Sequence, residues 1–146
     1  MGKASELGGT VRQLISRARD LKHRRVQDLL QELELHQGQA FVLYALWGQD
    51  GITQSELTER LNRSPSTITK TVQRLEKAGF VQRRADDSDE RVSRVYLTDA
   101  GREIRPAVEA MWNQLDEQMF AGFGPQEMAS FADFLERVCR NIESES

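Results

Sequence analysis

Arginine and lysine side chains are concentrated between residues 60 and 94, where they alternate with hydroxyl and amide side chains. This stretch carries a net charge of +4, the first 25 residues carry +5, and the rest of the chain therefore carries −12. Cations neutralise phosphates, whereas hydroxyl and amide groups form hydrogen bonds with base edges. The overall charge of −3 thus conceals two segments with the chemistry of a polyanion-binding surface.

The helix predicted for residues 64–77 is amphipathic on a wheel of about 100° per residue. Ile68, Val72 and Leu75 lie on one face. The opposite face holds hydroxyl, amide and cationic side chains and no acid: Ser66, Lys70, Gln73, Arg74 and Lys77. This composition is typical of a helix that reads the major groove. The alternative is a surface helix with a solvated polar face.

Catalytic and metal-binding chemistry has no comparable signal. His23, His36 and Cys139 lie in different predicted elements, without the spacing of a metal site or a nucleophilic triad. The sequence has no glycine-rich phosphate loop either. We therefore expect no enzyme activity, no metal and no cofactor.

Capping residues and hydrophobic spacing predict the elements that position the basic side chains. Terminal helices are predicted over residues 10–33 and 98–120, and a last helix begins at Pro125. Between them, a tight turn joins two short helices that begin after Thr53 and Ser64. A β-hairpin follows. The expected fold is mainly α with a small β-wing: a winged helix-turn-helix lobe flanked by N- and C-terminal helices.

The length of 146 residues fits a single domain. A hydrophobic content of 38% is modest, which favours completion of the core by dimerisation. The chain has no apolar run of 18 residues and no signal peptide, so we expect a cytoplasmic protein without membrane contact.

Cys139 lies on the apolar stripe of the last helix, where we expect it to pack.

The segments ITQSELTERLNRSPSTITKTVQRLEKAGFVQRR and DERVSRVYLTDAG resemble the multiple-antibiotic-resistance regulator (MarR) family of bacterial transcription factors. The motifs cover residues 35–101, and the most specific of them is the Asp-x-Arg of the wing, Asp89 and Arg91. At His36 the family pattern usually has threonine. The resemblance implies a helix-turn-helix at about 53–78 and a wing at about 80–97, within a lobe at 35–98. It also implies dimerisation helices at 10–33 and 99–144.

The resemblance implies a sequence-specific regulator, a repressor, that binds double-stranded DNA as a homodimer. Two recognition helices would then enter successive major grooves about 34–36 Å apart on a palindromic site. The residues expected to face bases are Ser66, Thr67, Lys70 and Gln73. Those expected nearer phosphates are Arg63, Ser64, Thr69, Arg74 and Lys77. The alternative function is a protein-interaction module, which predicts an apolar or acidic recognition face.

The wing contains four acids close to its arginines. The resemblance implies that Asp89 orients Arg91 toward the minor groove, whose negative potential attracts an inserted arginine. Arg84 and Arg94 are expected to serve the wing as well. The remaining acids are expected to form a solvated turn: Asp86, Asp87 and Glu90.

The family also implies release from DNA by a small aromatic or phenolic effector, bound between the dimerisation helices and the lobe. The candidate lining residues are His23, Tyr44, Trp47, Met111 and Trp112. The alternative is that the aromatic and methionine side chains are ordinary core and that His23 is solvated.

Overall fold

A computed structural model describes residues 2–144. In chain order the elements are α1 (Gly2–Glu32), α2 (Gln37–Gly48), β1 (Ile52–Thr53), α3 (Gln54–Leu61), α4 (Pro65–Lys77), β2 (Val81–Ala85), β3 (Ser93–Leu97), α5 (Asp99–Glu103), α6 (Arg105–Met119) and α7 (Pro125–Glu143). The expected mainly helical fold with a small wing is confirmed. No helix among residues 2–144 has both the length and the apolarity needed to span a bilayer.

The three strands form one antiparallel sheet in the order β1-β3-β2. β2 and β3 are the predicted hairpin, paired from Val81 opposite Leu97 to Ala85 opposite Ser93. β1 was not predicted, because two residues are too short to produce an alternating pattern. Its pairing places Ile52 opposite Val95, and both side chains are buried. The wing is therefore tied to the chain segment that enters α3.

The described residues fall into two compact units that divide between Met111 and Trp112. Apolar side chains of α1 to α4 and of the sheet form the core of the first unit. Its buried members include Val26, Leu30, Leu43, Leu46, Leu57, Ile68, Val72, Leu75, Val81 and Val95. The predicted DNA-binding lobe, residues 35–98, lies within this unit, so one core supports both the helix-turn-helix and the wing.

Two predicted helix boundaries are wrong. α1 begins at Gly2 rather than at Thr10, whose hydroxyl donates to the Glu6 carbonyl oxygen (3.1 Å) inside the helix. A threonine hydroxyl that bonds the preceding turn does not cap a new helix. The helix predicted over 98–120 is interrupted at Ile104. Pro106 follows closely and lacks the backbone N–H that a continuous helix requires.

The second unit contains the end of α6 and all of α7. Phe123 makes edge-on contacts with Phe120 (6.0 Å between ring centroids) and Phe131 (6.2 Å) across the turn. Gly122 has φ +83°, which a glycine adopts without strain. Pro125 begins α7, as predicted, and none of the described residues of α7 is buried.

Candidate nucleic-acid interface

Two capped helices and one left-handed residue form the helix-turn-helix. The Thr53 hydroxyl accepts from the Glu56 N–H (3.1 Å), and the Thr53 N–H donates to the Glu56 carboxylate (2.9 Å). Asn62, with φ +48°, reverses the chain after α3, a conformation that asparagine tolerates well. The Ser64 hydroxyl then accepts from the Thr67 N–H (3.2 Å) and caps α4. The predicted caps of both helices are confirmed.

The cationic and amide side chains on the polar face of α4 form no hydrogen bond or ion pair with other described residues. Ile68, Val72 and Leu75 are buried on the opposite face, as the wheel predicted. The exposed side chains of α4 that form no hydrogen bond or ion pair with any other described residue include Lys70, Gln73, Arg74 and Lys77. Their donors and acceptors are available for an external ligand. The face combines three cations with one amide and contains no carboxylate.

The hydroxyl groups near the start of α4 are used within the motif. Thr67 Oγ1 lies 2.8 Å from Ser64 Oγ, and Ser66 Oγ lies 3.2 Å from the same atom. Thr69 is half-buried, and its hydroxyl accepts from the Gln54 amide (3.3 Å). Thr69 therefore joins α4 to α3. Arg63 is exposed on the turn between the two helices.

An ion pair that the sequence did not predict joins α4 to the wing. Glu76 Oε2 accepts from the Arg83 N–H (3.0 Å), and Glu76 Oε1 accepts from the Arg83 guanidinium (3.0 and 3.2 Å). The Arg83 backbone N–H, followed by its side chain, lowers the pKa of the Glu76 carboxyl. Because the two residues belong to different elements, α4 and β2, their pairing depends on how β2 lies against α4, which the spacing of residues does not determine.

Asp89 binds Arg91 as the resemblance implied. The Arg91 Nε and Nη2 donate to the two oxygens of Asp89 at 3.1 and 3.2 Å, and the Arg91 N–H donates at 3.0 Å. These bonds lower the pKa of the Asp89 carboxyl, with the Arg91 side chain as the largest cause. The Arg91 side chain is nevertheless 90% exposed. The guanidinium is thus pre-ordered and accessible at the same time.

Asp86 is not part of a solvated turn, so that expectation is wrong. Its carboxylate accepts from the Ser88 hydroxyl (2.6 Å) and N–H (3.2 Å) and forms an ion pair with Arg94. The Ser88 hydroxyl, then the Arg94 guanidinium, lower its pKa to about 2. Asp87 and Glu90 are exposed and have no hydrogen bond or ion pair with another described residue. The tip therefore contains two structural acids and two solvated ones.

The two other wing arginines have internal contacts. The Arg84 guanidinium lies over the Tyr96 ring, 5.1 Å from its centroid. Arg94 pairs with Asp86 and also donates from Nη1 to the Gly51 carbonyl oxygen (2.9 Å). Arg94 is therefore committed to bonds that hold the wing, whereas Arg91 projects from it.

The family model for the MarR family matches residues 35–93, which include the helix-turn-helix, β2 and the tip of the wing up to the start of β3. AdcR of Streptococcus pneumoniae, a transcriptional regulator, is 30% identical over 146 aligned residues, covering 96% of this chain and 97% of AdcR. This chain belongs to the MarR family.

Solved structures agree with the assignment to the MarR family. The PcaV transcriptional regulator of Streptomyces coelicolor superposes with a TM-score of 0.82 at 27% identity, covering 90% of this chain and 96% of PcaV. A mutant MarR of Escherichia coli in complex with operator DNA has a TM-score of 0.75 at 25% identity, covering 88% of this chain and 93% of that one. MarR family members are DNA-binding transcriptional regulators and not enzymes, and this chain is accordingly a DNA-binding transcriptional regulator.

The residues predicted to line an effector pocket in this MarR family chain belong to both compact units, and each is described within its own unit. His23 lines a cleft of about 530 Å³ with residues of α2, α3 and α4. Tyr44 and Trp47 pack edge-on (5.1 Å), and burial raises the pKa of Tyr44. The Trp47 indole donates to the Gly101 carbonyl oxygen (2.8 Å). Met111 is buried within the first unit, and Trp112 is half-buried in the second.

Cys139 is exposed on α7, so the expectation that it packs within the chain is wrong. The physical reason is that the apolar side of α7 is uncovered: Leu135 and Val138 are each 39% exposed. Within residues 2–144, no group of three or more histidine, cysteine or acidic side chains is arranged to hold a metal ion.

Proposed function

We propose that this MarR family regulator is a cytoplasmic homodimeric repressor that binds palindromic operators and is released by a small aromatic or phenolic effector. α4 of each subunit would enter a major groove, and Arg91 of each wing would enter the adjacent minor groove. Lys70 and Gln73 would contact base edges, and Arg74 and Lys77 would contact phosphates.

The polar face of α4 is the observation that carries this proposal. Lys70, Gln73, Arg74 and Lys77 are exposed and unpaired among the described residues, on a helix whose other face is fixed in the core. Amides and cations on a rigid helix supply both base-edge hydrogen bonds and phosphate neutralisation. A protein-interaction module would instead need an apolar or acidic face here. This alternative is not favoured.

Uncovered apolar side chains support dimerisation by the terminal helices. The large apolar side chains exposed on α1 are Leu7, Val11, Leu14, Ile15 and Leu21, and those on α7 include Phe131, Phe134, Leu135, Val138 and Ile142. Large apolar side chains exposed along a helix, as on each of these two, are characteristic of an interface. We take the partner to be a second copy of this chain, because binding to a palindromic site with two half-sites requires two lobes.

The cleft beside His23 supports an effector site. Phe41 and Ile68 supply apolar surface, and Arg60 and Arg63 supply positive charge. These features suit a flat, apolar molecule with an acidic group, such as a phenol or an aromatic acid. A ligand there would contact α1, α2 and α4 together, so its binding could displace the recognition helix.

Binding-site selection with variants tests the assignment of α4. Lys70→Ala and Gln73→Ala should each relax base preference at one position per half-site, at a cost of about 1–3 kcal/mol in specific binding. Gln126→Ala, an exposed glutamine outside the lobe, is the matched control and should return the wild-type consensus. The same consensus from all three variants would contradict base reading by α4.

A further inference from the structure

The tip of the wing is built from two successive turns that share one design. Asp86 accepts from the N–H of Ser88, two residues further on, and Asp89 accepts from the N–H of Arg91 at the same separation. An aspartate that binds the backbone two residues ahead fixes a tight turn. In each turn the carboxylate also pairs with an arginine, Arg94 for Asp86 and Arg91 for Asp89.

The first turn is anchored to the body of the lobe. The Asp86 N–H donates to the Val92 carbonyl oxygen (2.8 Å), which extends the hairpin ladder by one bond. Arg94, the partner of the Asp86 carboxylate, also binds the Gly51 carbonyl oxygen (2.9 Å). The Gly51 N–H in turn donates to Asp50 (3.0 Å). A continuous chain of contacts therefore runs from the turn before β1 to the wing tip.

The second turn depends on the first. The Val92 N–H donates to the Asp89 carbonyl oxygen (3.0 Å), so Val92 closes both turns, through its carbonyl oxygen with Asp86 and through its N–H with Asp89. The direction in which Asp89 presents Arg91 is consequently set by the geometry of the Asp86 turn. Asp86 is well suited to this role because its side chain is only 14% exposed, whereas that of Arg91 is 90% exposed.

We propose that Asp86, held by Arg94, is a positioning residue that aims Arg91 at the minor groove. The proposal rests on the DNA-binding mode proposed above. Asp86 acts through the peptide geometry of the tip and not by touching DNA. It follows that an acid close to the phosphate backbone increases specific affinity, although its charge alone would reduce it. The low pKa of Asp86, about 2, keeps the carboxylate ionised for this purpose.

Two neutralising substitutions distinguish a positioning role of Asp86 from the simple effect of removing one negative charge near the DNA. Asp86→Asn and Asp87→Asn remove the same charge one residue apart, but only Asp86 has internal partners. We expect Asp87→Asn to leave specific binding unchanged or stronger. Asp86→Asn should weaken it by about tenfold, the equivalent of one charge-assisted hydrogen bond. Affinity is measured by fluorescence anisotropy on the duplex selected by the wild-type protein and on a scrambled duplex.

Hydroxyl-radical footprinting of the same duplex shows where binding is lost. Asp86→Asn should lose protection of the minor groove at the wing position and keep the protection given by α4, a pattern that general destabilisation does not produce. Arg94→Lys retains the charge but replaces the two guanidinium nitrogens that bond Asp86 and Gly51 with a single nitrogen, so it should reproduce the same loss. Asp86→Glu keeps the carboxylate and should restore part of the protection. Urea unfolding confirms that each variant is folded.

The outcomes distinguish the positioning role from the DNA-binding mode on which it rests. If Asp86→Asn and Arg94→Lys both behave like Asp87→Asn while Arg91→Ala loses specific affinity, the positioning role is overturned and the minor-groove contact stands. If Arg91→Ala matches the wild type, or the wild type does not distinguish the two duplexes, the DNA-binding mode fails and the positioning role fails with it.

Discussion

At the scale of the residue, paired charges organise the wing and leave selected cations available. Asp86, Asp89 and Glu76 each bind both a backbone N–H and an arginine side chain. Each carboxylate therefore fixes a turn or a junction while neutralising one cation. These three acids therefore hold the wing in place, while the cations of α4 form no ion pair with other described residues.

The ion pair between Glu76 and Arg83 predicts a pH-dependent contribution to stability. Glu76→Gln should lower the free energy of unfolding at neutral pH by no more than about 1 kcal/mol, because the pair is partly exposed. The folded-state pKa of Glu76 is depressed below 4.5. Its contribution is complete above that pH and is lost as the pH falls through the lowered folded pKa. Urea unfolding of both proteins across this range measures the difference.

Glu90→Gln is the matched control for Glu76→Gln, because its carboxylate is exposed and has no partner among the described residues. It should change the free energy of unfolding little at neutral pH. A difference between wild type and Glu76→Gln that stays constant, or grows, as the pH is lowered through the acid range would contradict a charged, bonded Glu76.

The wing shows which residue roles the sequence predicts and which it does not. The pairing of Asp89 with Arg91 is local, and the Asp-x-Arg motif through which the chain resembles the MarR family implied it. Asp86 reaches Arg94 across the hairpin, and Glu76 reaches Arg83 from another element. The contact between Asp86 and Arg94 depends on the pairing of Arg84 with Arg94 in the ladder, and the contact between Glu76 and Arg83 depends on how β2 lies against α4. Register is a property of the folded hairpin, which composition and spacing do not determine.

At the scale of the element, α1 has two different functions along its length. Val26, Leu29 and Leu30 near its C-terminal end are buried in the core of the first unit. Leu7 and Leu14 nearer its N-terminal end are 66% and 56% exposed. A helix that continues beyond its own core with apolar residues at helical spacing is stabilised by a partner surface.

A charged residue within the exposed part of α1 should dissociate the proposed dimer. Leu14→Glu places a carboxylate in the apolar stripe, where burial without a partner is costly. In sedimentation at micromolar concentration we expect wild type at twice the 16.7 kDa chain mass and Leu14→Glu at the chain mass. Gln13→Glu, an exposed neighbour, is the control and should remain dimeric. A wild-type monomer, with or without DNA, would refute the proposed assembly.

The start of a helix was predicted correctly where the capping hydroxyl accepts from the turn that follows it. It was predicted wrongly where the same kind of residue bonds to the turn before it. Thr53 and Ser64 begin their helices because the following turn supplies the N–H that each hydroxyl accepts. Thr10 has a similar local sequence, but its hydroxyl bonds the preceding turn. The strand of Ile52 and Thr53 is defined only by its partner β3. Local sequence patterns identify possible caps. Whether such a residue starts a helix, continues one or joins a strand is decided by the rest of the fold.

At the scale of the whole molecule, charge is distributed for selective binding. The overall charge is −3, while residues 60–94 carry +4. A polyanion is therefore attracted to the helix-turn-helix and wing and repelled by much of the remaining chain. This distribution limits nonspecific binding, and in the proposed dimer affinity would depend on base contacts and on the fit of both lobes to their half-sites.

Selection of random duplexes by the wild-type protein, at two salt concentrations, tests the central claim most directly. We expect an enriched inverted repeat whose half-sites are about one helical turn apart, with the same consensus at both salt concentrations. That result would support base reading by α4 and the two-fold assembly together. Binding without a consensus, which falls steeply as salt rises, would show phosphate contacts alone and contradict sequence-specific recognition.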